Sequence, residues 1–487
     1  MTQFKIKDFV MHGGFSVFFP ENHHVLKDMG FKVQDRVLLH HKRRFIGVAV
    51  NTIGHDFVGL KEVILTQEAM QALGVKFGDM ISVSMLTMHP SILVIRKKVD
   101  GLMLTYEDYL LLYKAIKDHE VLDLHIASFV TACVSYALND REVIGSTRAM
   151  VDISHKFTWP YEIVADKHCV GGVAGNRVTP IVVSIVAAFG LKIPKTSSKA
   201  ITSPAGTADT MNVITNVENV DIKAVVEKEN GCFVFGGIVN PVDDIIVRVE
   251  RLLELNVDSQ LIASIMSKKI AAGSNHIVID IPIGPEIKVK TKAQAEALKK
   301  GFKAVADFYK VKVEVYFSDG TKPVGRGIGP VQEIKEVLRI LQNSPDSSKD
   351  LREKALTLAG ILIDFVRPSE GYNIAKEILE SGKAFEKFKA ICLAQGAYKD
   401  IPKARFQKAL YFKEDGTLTE LSNDAIVVGA KLAGAPIVPE AGIYLNKIVG
   451  ECYKKGEAFL TVYAMSQEAL KEAVKYLADQ FDFVGRE

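Results

Sequence analysis

The spacing of apolar residues changes character along this chain. Up to about residue 98, the short β-branched runs DRVLLHH, RFIGVAVNTI, MISVSML and SILVIRKK are separated by turn residues and predict strands, with one short helix at TQEAMQAL. From Asp100 the period becomes helical: LTYEDYLLLYKAIKDH, VLDLHIASFVTACVSYA and DREVIGSTRAMVDIS carry apolar residues at i, i+3 and i+4. YEIVADKH then predicts a buried strand, and RVTPIVVSIVAAFG a helix with Pro180 in its first turn and Gly190 as its left-handed cap. GCFVFGG, HIVIDIPIG and KVEVYFSDG are further strand-like runs, each near a helical stretch, and the long segment from Pro241 to Gly273 is helical. From about Leu418 the pattern predicts short strands and glycine turns, followed by the helix SQEALKEAVKYLADQF.

This order predicts a multi-domain α/β chain. A helical lobe (residues 99–155 and 235–272) faces an α/β lobe (156–234 and 273–417) across a cleft. A β-rich N-terminal domain (1–98) precedes them and a small C-terminal α/β domain (418–487) follows.

Candidate chemistry concentrates between Asp166 and Met211, where two Gly/Ser/Thr-rich turns stand on either side of one helix, each leading into a helix start. Gly171, Gly172 and Gly175 let backbone approach an anion, and helix starts turn unpaired N–H groups toward it. Lys167, Lys199 and the hydroxyls of Ser197, Ser198, Thr202, Ser203 and Thr207 add charge and donors. Together they predict a phosphate held from both sides. His168 reads equally as a functional group or as a hinge histidine satisfied by backbone. Cys169 has no paired base in the sequence around it and reads as a small buried filler. A second group comprises Arg248, Arg251, Asn256, Asp258, Ser264 and Lys268. Ser264 and Lys268 are four apart and share a helix face with Gln260, able to hold a polar planar ring, although a solvated face has the same pattern. Lys288 follows a strand and a Gly-Pro turn, which would let it reach into a cleft.

Composition narrows the classes. A 48% hydrophobic, 24% charged chain of 487 residues is a globular protein of several domains. A net charge of +3 gives no electrostatic footprint for a nucleic-acid partner. The five cysteines have no metal-ligand spacing, and the pairs His23-His24 and His40-His41 lack a third ligand, reading as solvated strand and loop residues with no metal site. The first residues lack the apolar run of a signal peptide, and IVVSIVAAFGL is too short to span a bilayer, so a cytoplasmic, membrane-free protein is expected. GGVAG lacks the GxGxxG spacing and no Walker pattern is present, which excludes those nucleotide-binding loops.

DKHCVGG, SSKAITSPAGTADTM, QLIASIMSKK and IPIGP, in this order, resemble the thymidine/pyrimidine-nucleoside phosphorylase family. The similarity extends from about Leu102 to the GIYLNKIVGECYKKGEAFLTVYA segment. The N-terminal extension resembles the branch holding type 2 thymidine phosphorylases and archaeal AMP phosphorylases. The resemblance implies phosphorolysis: phosphate attacks the anomeric carbon of thymidine, giving thymine and 2-deoxyribose 1-phosphate. The alternative it leaves open is AMP phosphorolysis to adenine and ribose 1,5-bisphosphate. A non-catalytic nucleotide-binding protein is the alternative of another class, and an anthranilate-type phosphoribosyltransferase would need an acidic metal cluster that the sequence lacks. By carry-over, Lys167, Gly172, Ser197, Ser198 and Thr207 hold phosphate, and the run Ser198, Lys199, Ala200, Ile201, Thr202, Ser203 lines the ligand. Arg251, Ser264, Lys268 and Lys288 hold base or substrate, with His168 beside the pyrimidine carbonyl. Asn256 stands where the AMP enzymes have an acid, with Asp258 two residues on, so either serves the leaving base. The resemblance further implies no cofactor beyond phosphate as co-substrate, and a homo-oligomer.

Overall fold

The computed structural model describes residues 2–21, 23–54, 56–85, 89–200, 203–253, 255 and 257–485, and the chain divides into two compact units, Met1–Tyr136 and Ala137–Glu487. The first unit begins with β1 (Thr2–Ile6), β2 (Ser16–Pro20), α1 (His24–Asp28), β3 (Arg36–His41) and β4 (Arg44–Ile53). It continues with β5 (Glu62–Leu65), α2 (Gln67–Leu73) and β6 (Met80–Met85). The six strands close into a barrel in the order β1-β5-β2-β4-β3-β6. Alternation along each strand sends Val17, Phe19, Val37, Leu39, Val48, Val50, Ile81 and Val83 into one buried core. His23 is buried, not solvated as its sequence context suggested. Its Nδ1 accepts from the Val25 N–H at 3.1 Å and caps α1, and its Nε2 lies 2.7 Å from the Leu60 carbonyl.

Three helices complete this unit: α3 (Ser91–Val99), α4 (Tyr106–Lys117) and α5 (Asp123–Ser135). SILVIRKK is therefore a helix, which corrects the predicted strand. Its β-branched residues imitate a strand, but the buried positions Ser91, Val94, Ile95 and Lys98 repeat at three and four.

In the second unit, α6 (Asp140–Ile153) leads to β7 (Ala165–Cys169), α7 (Val178–Phe189) and β8 (Ile193–Ser197). Next come α8 (Thr207–Asn212), α9 (Ile222–Glu229), β9 (Gly231–Phe235), α10 (Gly236–Val239), α11 (Pro241–Leu253) and α12 (Asp258–Ala271). Then follow β10 (His276–Ile283), α13 (Lys292–Tyr309), β11 (Lys312–Asp319), β12 (Gly327–Ile328), α14 (Pro330–Leu341), α15 (Lys349–Asp364), α16 (Gly371–Glu380) and α17 (Lys383–Ala394). The last part holds β13 (Phe406–Phe412), β14 (Gly416–Thr417), α18 (Asn423–Leu432), β15 (Gly442–Leu445), β16 (Cys452–Tyr453), β17 (Ala458–Ala464), α19 (Gln467–Gln480) and β18 (Val484–Gly485).

Strands β11, β10 and β7 pair in parallel, as do β8 and β9, and a parallel bridge from Val164 to Lys192 links the two sets. Parallel strands need crossover connections, and the helices supply them. The largest core lies where α7, α14, α15 and α17 cover this sheet; α7 is buried from Val178 to Ala187, which is why its sequence is apolar all round. The C-terminal part is a five-stranded sheet, β12-β15-β17-β13-β18, with α18 and α19 packed on it. NDAIVVGAKL forms α18, where short strands were expected: Ser422 caps it, accepting from Ala425 N–H at 3.1 Å, and Ala425, Ile426, Gly429 and Ala430 are buried at helical spacing. No helix among the described residues is long and apolar enough to cross a membrane.

One contact fixes the first glycine loop on this scaffold. Gly175 has φ +70°, and a Cβ there would lie 2.5 Å from the Val324 carbonyl oxygen. Gly175→Ala is expected to destabilise the second unit by about 1–3 kcal/mol. Denaturant unfolding followed by Trp159, the sole tryptophan, whose indole N–H donates to the Ala272 carbonyl at 2.8 Å, measures this; an unchanged midpoint would contradict it.

Candidate active site

Strand β7 divides the candidate chemistry between two faces, because consecutive side chains on a strand point oppositely. Lys167 is fully buried on the face toward α7 and α15. Its Nζ lies 3.4 Å from Thr179 Oγ1 near the start of α7. Burial lowers its pKa, while Asp280 favours the charged form. Asp280, on neighbouring β10, pairs with Lys354 of α15 at 3.0 Å and accepts from Ser318 Oγ at 2.6 Å. Burial pushes this carboxyl up, but Lys354 and Lys167 outweigh it and hold Asp280 below the usual carboxylate range.

His168 points the other way, toward α12. Burial lowers its pKa well below the ordinary value, and Lys269, Lys195 and Lys268 lower it further, so the imidazole is neutral at pH 7. Beneath it, buried Asp166 pairs with Lys269 at 3.0 Å and lies 3.7 Å from Lys195, while Lys269 also donates to Thr196 Oγ1 at 3.0 Å.

Two loops close over the strand ends. In the first, Gly172 has φ +101°, and a Cβ there would stand 3.0 Å from the Ile287 side chain. Asn423, at the start of α18, holds this loop from outside: its Nδ2 donates to the Gly172 carbonyl at 3.0 Å and its Oδ1 accepts from Ala174 N–H at 2.8 Å. In the second loop, Asp209 Oδ2 accepts from the N–H groups of Ala200 and Gly206 at 2.6 and 2.8 Å, and Ser203 Oγ donates to the Ala205 carbonyl at 2.9 Å. Arg177 ties the loops together, donating to Glu333 at 2.7 Å, Thr207 Oγ1 at 2.7 Å and the Ala205 carbonyl at 2.8 Å. Ser197 Oγ, at the end of β8, is buried without a hydrogen-bond partner among the described residues.

Helix α12 forms the facing wall. Lys268 Nζ donates to Ser264 Oγ at 3.0 Å and pairs with Asp243 of α11, so on this stripe Lys268 and Gln260 are buried and Ser264 is half-buried, not a solvated face.

One cavity is thus lined by Lys167, His168, Gly172, Ser197, Ser198, Lys199, Ser203, Thr207, Ser264, Lys268 and Lys288. Lys199 is half exposed and pairs with Glu218 at 2.7 Å. Ala200 and Arg251 line an adjoining cavity that shares Ser198, Lys199 and Lys268 with the first. Asp258 does not join either lining: it opens α12 and accepts from Gln294 Nε2 at 2.7 Å. Ile201, Thr202 and Asn256 lie outside the described residues. Cys169 lines the cavity instead of filling core; burial, reinforced by Asp280, pushes its thiol pKa up, so it is not a thiolate nucleophile. Sequence reasoning missed Arg177, Asp243, Glu333 and Asn423. Arg177 was the one within reach, since it follows the glycine loop directly; the others come from distant segments, and no local pattern announces them.

Fold and site define a class. Residues 93–154 match the helical bundle domain of a glycosyl transferase family, 161–385 its a/b domain, and 417–483 a pyrimidine nucleoside phosphorylase C-terminal domain. A protein of Legionella pneumophila (strain Corby) named "Putative thymidine phosphorylase" is 42% identical over 479 residues, covering 96% of this chain and 92% of its own length. One of the same name from Ralstonia nicotianae is 40% identical over 454 residues, covering 92% and 90%. The chain belongs to the thymidine phosphorylase family, and it is an enzyme of the pentosyl-transferring kind. Its fold is similar to that of anthranilate phosphoribosyltransferase from Thermus thermophilus, with a TM-score of 0.51 at 17% identity over 62% of this chain and 99% of that one.

Burial and Asp243 raise the Glu250 carboxyl to about 7, with Lys288 and Lys268 pulling the other way. This group is expected to be neutral at pH 6 and anionic at pH 8, adding negative charge near two cavity lysines. A pH-difference infrared carboxyl band with a midpoint near 7, missing in Glu250→Gln, checks it; no such band would refute it.

Proposed function

We propose that this chain phosphorolyses a nucleoside, converting thymidine and inorganic phosphate to thymine and 2-deoxyribose 1-phosphate. The observation that carries the reading is the convergence, on one cavity, of the end of β7, two anion-type loops and the Ser264–Lys268 pair. Lys167, Gly172, Ser197, Ser198 and Thr207 hold the phosphate, with Ser203, Lys199, Ala200, Ile201 and Thr202 completing the ligand run. The Ser197 hydroxyl, unpartnered among the described residues, supports this, because a buried hydroxyl without a partner is costly unless a ligand satisfies it. Arg251, Ser264, Lys268 and Lys288 hold the nucleoside, and His168 faces the base.

Phosphate is a modest nucleophile, so holding it against the anomeric carbon supplies much of the rate. The glycosidic bond breaks through an oxocarbenium-like state while negative charge grows on the base. Lys268 and neutral His168 donate to that charge from fixed positions. Asn256 donates a hydrogen bond but no proton, which suits a pyrimidine leaving through its carbonyls better than an adenine. Asp258, engaged by Gln294, is the less suited of the two. Phosphate is the co-substrate and the scheme uses no cofactor. The four-part domain division and the cleft between helical and α/β lobes belong to the same proposal, as do a cytoplasmic setting, a homo-oligomer and the lack of nucleic-acid or membrane partners.

Incubation with phosphate and, separately, thymidine, uridine, AMP and CMP tests the reading by chromatography of free base. Phosphate-dependent thymine release is expected, falling by roughly 10²–10³-fold or more in Lys167→Ala with the fold intact. Adenine from AMP alone would favour the nucleotide enzyme. Binding without base release from any of the four would favour a sensor.

A further inference from the structure

Arg177 stands where the first loop becomes α7, and it lines the cavity between the two loops with its side chain 12% exposed. A guanidinium has five N–H donors. Among the described residues three are engaged, one from each nitrogen: Nε to Glu333 Oε2, Nη1 to Thr207 Oγ1 and Nη2 to the Ala205 carbonyl. Each terminal nitrogen keeps one further N–H. The three acceptors come from α14, the start of α8 and the second loop, so the plane of the guanidinium is fixed before any ligand arrives. Glu333 is itself held, accepting at 2.8 Å from Thr210 Oγ1 on the next turn of α8.

The bond to Thr207 has a second consequence. A hydroxyl that accepts from arginine has its own proton directed elsewhere, so Arg177 sets Thr207 as a donor toward the cavity. The same cavity is lined by Ser197, whose buried hydroxyl has no hydrogen-bond partner among the described residues and is an independent donor to a ligand. A dianion with three or more acceptor oxygens is the ligand that matches two guanidinium N–H groups, two hydroxyls and a lysine.

We propose that Arg177 is a phosphate ligand as well as the brace that keeps the two anion loops at one spacing. This rests on reading the cavity as the phosphate site. A lysine in its place would retain the charge but not the planar fork that reaches three acceptors and leaves two donors aligned.

Calorimetric titration with inorganic phosphate alone tests the assignment without any nucleoside. Arg177→Lys is expected to weaken phosphate binding about ten- to a hundredfold, the range for losing hydrogen bonds to a charged group. In turnover, the phosphate KM should rise by a similar factor with the thymidine KM unchanged. Guanidinium ion should restore part of the binding in Arg177→Ala and do nothing for the unsubstituted chain. Trp159 fluorescence verifies that each variant is folded, and Arg177→Lys carries the test if Arg177→Ala is not. Unchanged phosphate affinity in Arg177→Lys would overturn the ligand role, as would an equal rise in both KM values, which marks general loosening. A natural chain that binds no phosphate would instead overturn the phosphate site itself, and this inference with it.

Discussion

The arrangement of the cavity depends on one buried ion cluster, Asp166 with Lys269 and Lys195. These three groups join β7, β8 and α12, and all are removed from water. Burying such charges costs several kcal/mol per ion, and the arrangement persists only if the pairing is close and the remaining donors are satisfied; Thr196 provides that for Lys269. The neighbours in sequence follow from it. With Asp166 anchored on one face of β7, Lys167 must point to the other. With Lys269 anchored beneath α12, Lys268 is rotated one helical step toward Ser264 and Asp243. A cluster of which only Lys195 reaches the cavity lining thereby sets the direction of its neighbours that line the cavity.

A nearly neutral chain thus presents a cationic cavity. The net charge of +3 is spread over 487 residues, yet Lys167, Lys195, Lys268, Lys288 and Arg177 all line one space. Asp243 and Glu333 offset part of that charge, each engaged with one cation. Burial disfavours the charged form of Lys167, and an arriving anion would favour it again. Such a site gains most from a ligand of high charge density, which fits phosphate better than a neutral sugar or base. The buried Ser197 hydroxyl, without a partner among the described residues, adds a neutral donor to the same lining.

Much of this was legible from local pattern. The two loops around α7, the strand carrying Lys167 and the Ser264–Lys268 stripe all declare themselves within about ten residues, because glycine turns, strand runs and i, i+4 spacing are local properties. SILVIRKK and NDAIVVGAKL were misread for the converse reason. Both are rich in β-branched residues, and their helical state comes from which positions tertiary packing buries. The partners that complete the site were invisible. Asp243 meets Lys268 across 25 residues, Glu333 meets Arg177 across 156, and Asn423 meets Ala174 across 249. Nothing in a one-dimensional pattern pairs groups so far apart.

The opposite orientation of Lys167 and His168 bears on the proposed chemistry. In a displacement at an anomeric carbon, nucleophile and leaving group occupy opposite sides of the sugar. A single strand end directs an ammonium to one face and a neutral imidazole to the other, and on the proposed reading this separates the anion-holding group from the base-facing group by one peptide unit. On that reading the imidazole acts as a neutral donor, since Lys268, Lys269 and Lys195 already supply the positive charge on its side. Those lysines, together with burial, are what keep it neutral. On the proposed reading, the alternation of a five-residue strand thus sets which of the two groups meets the anion and which the base.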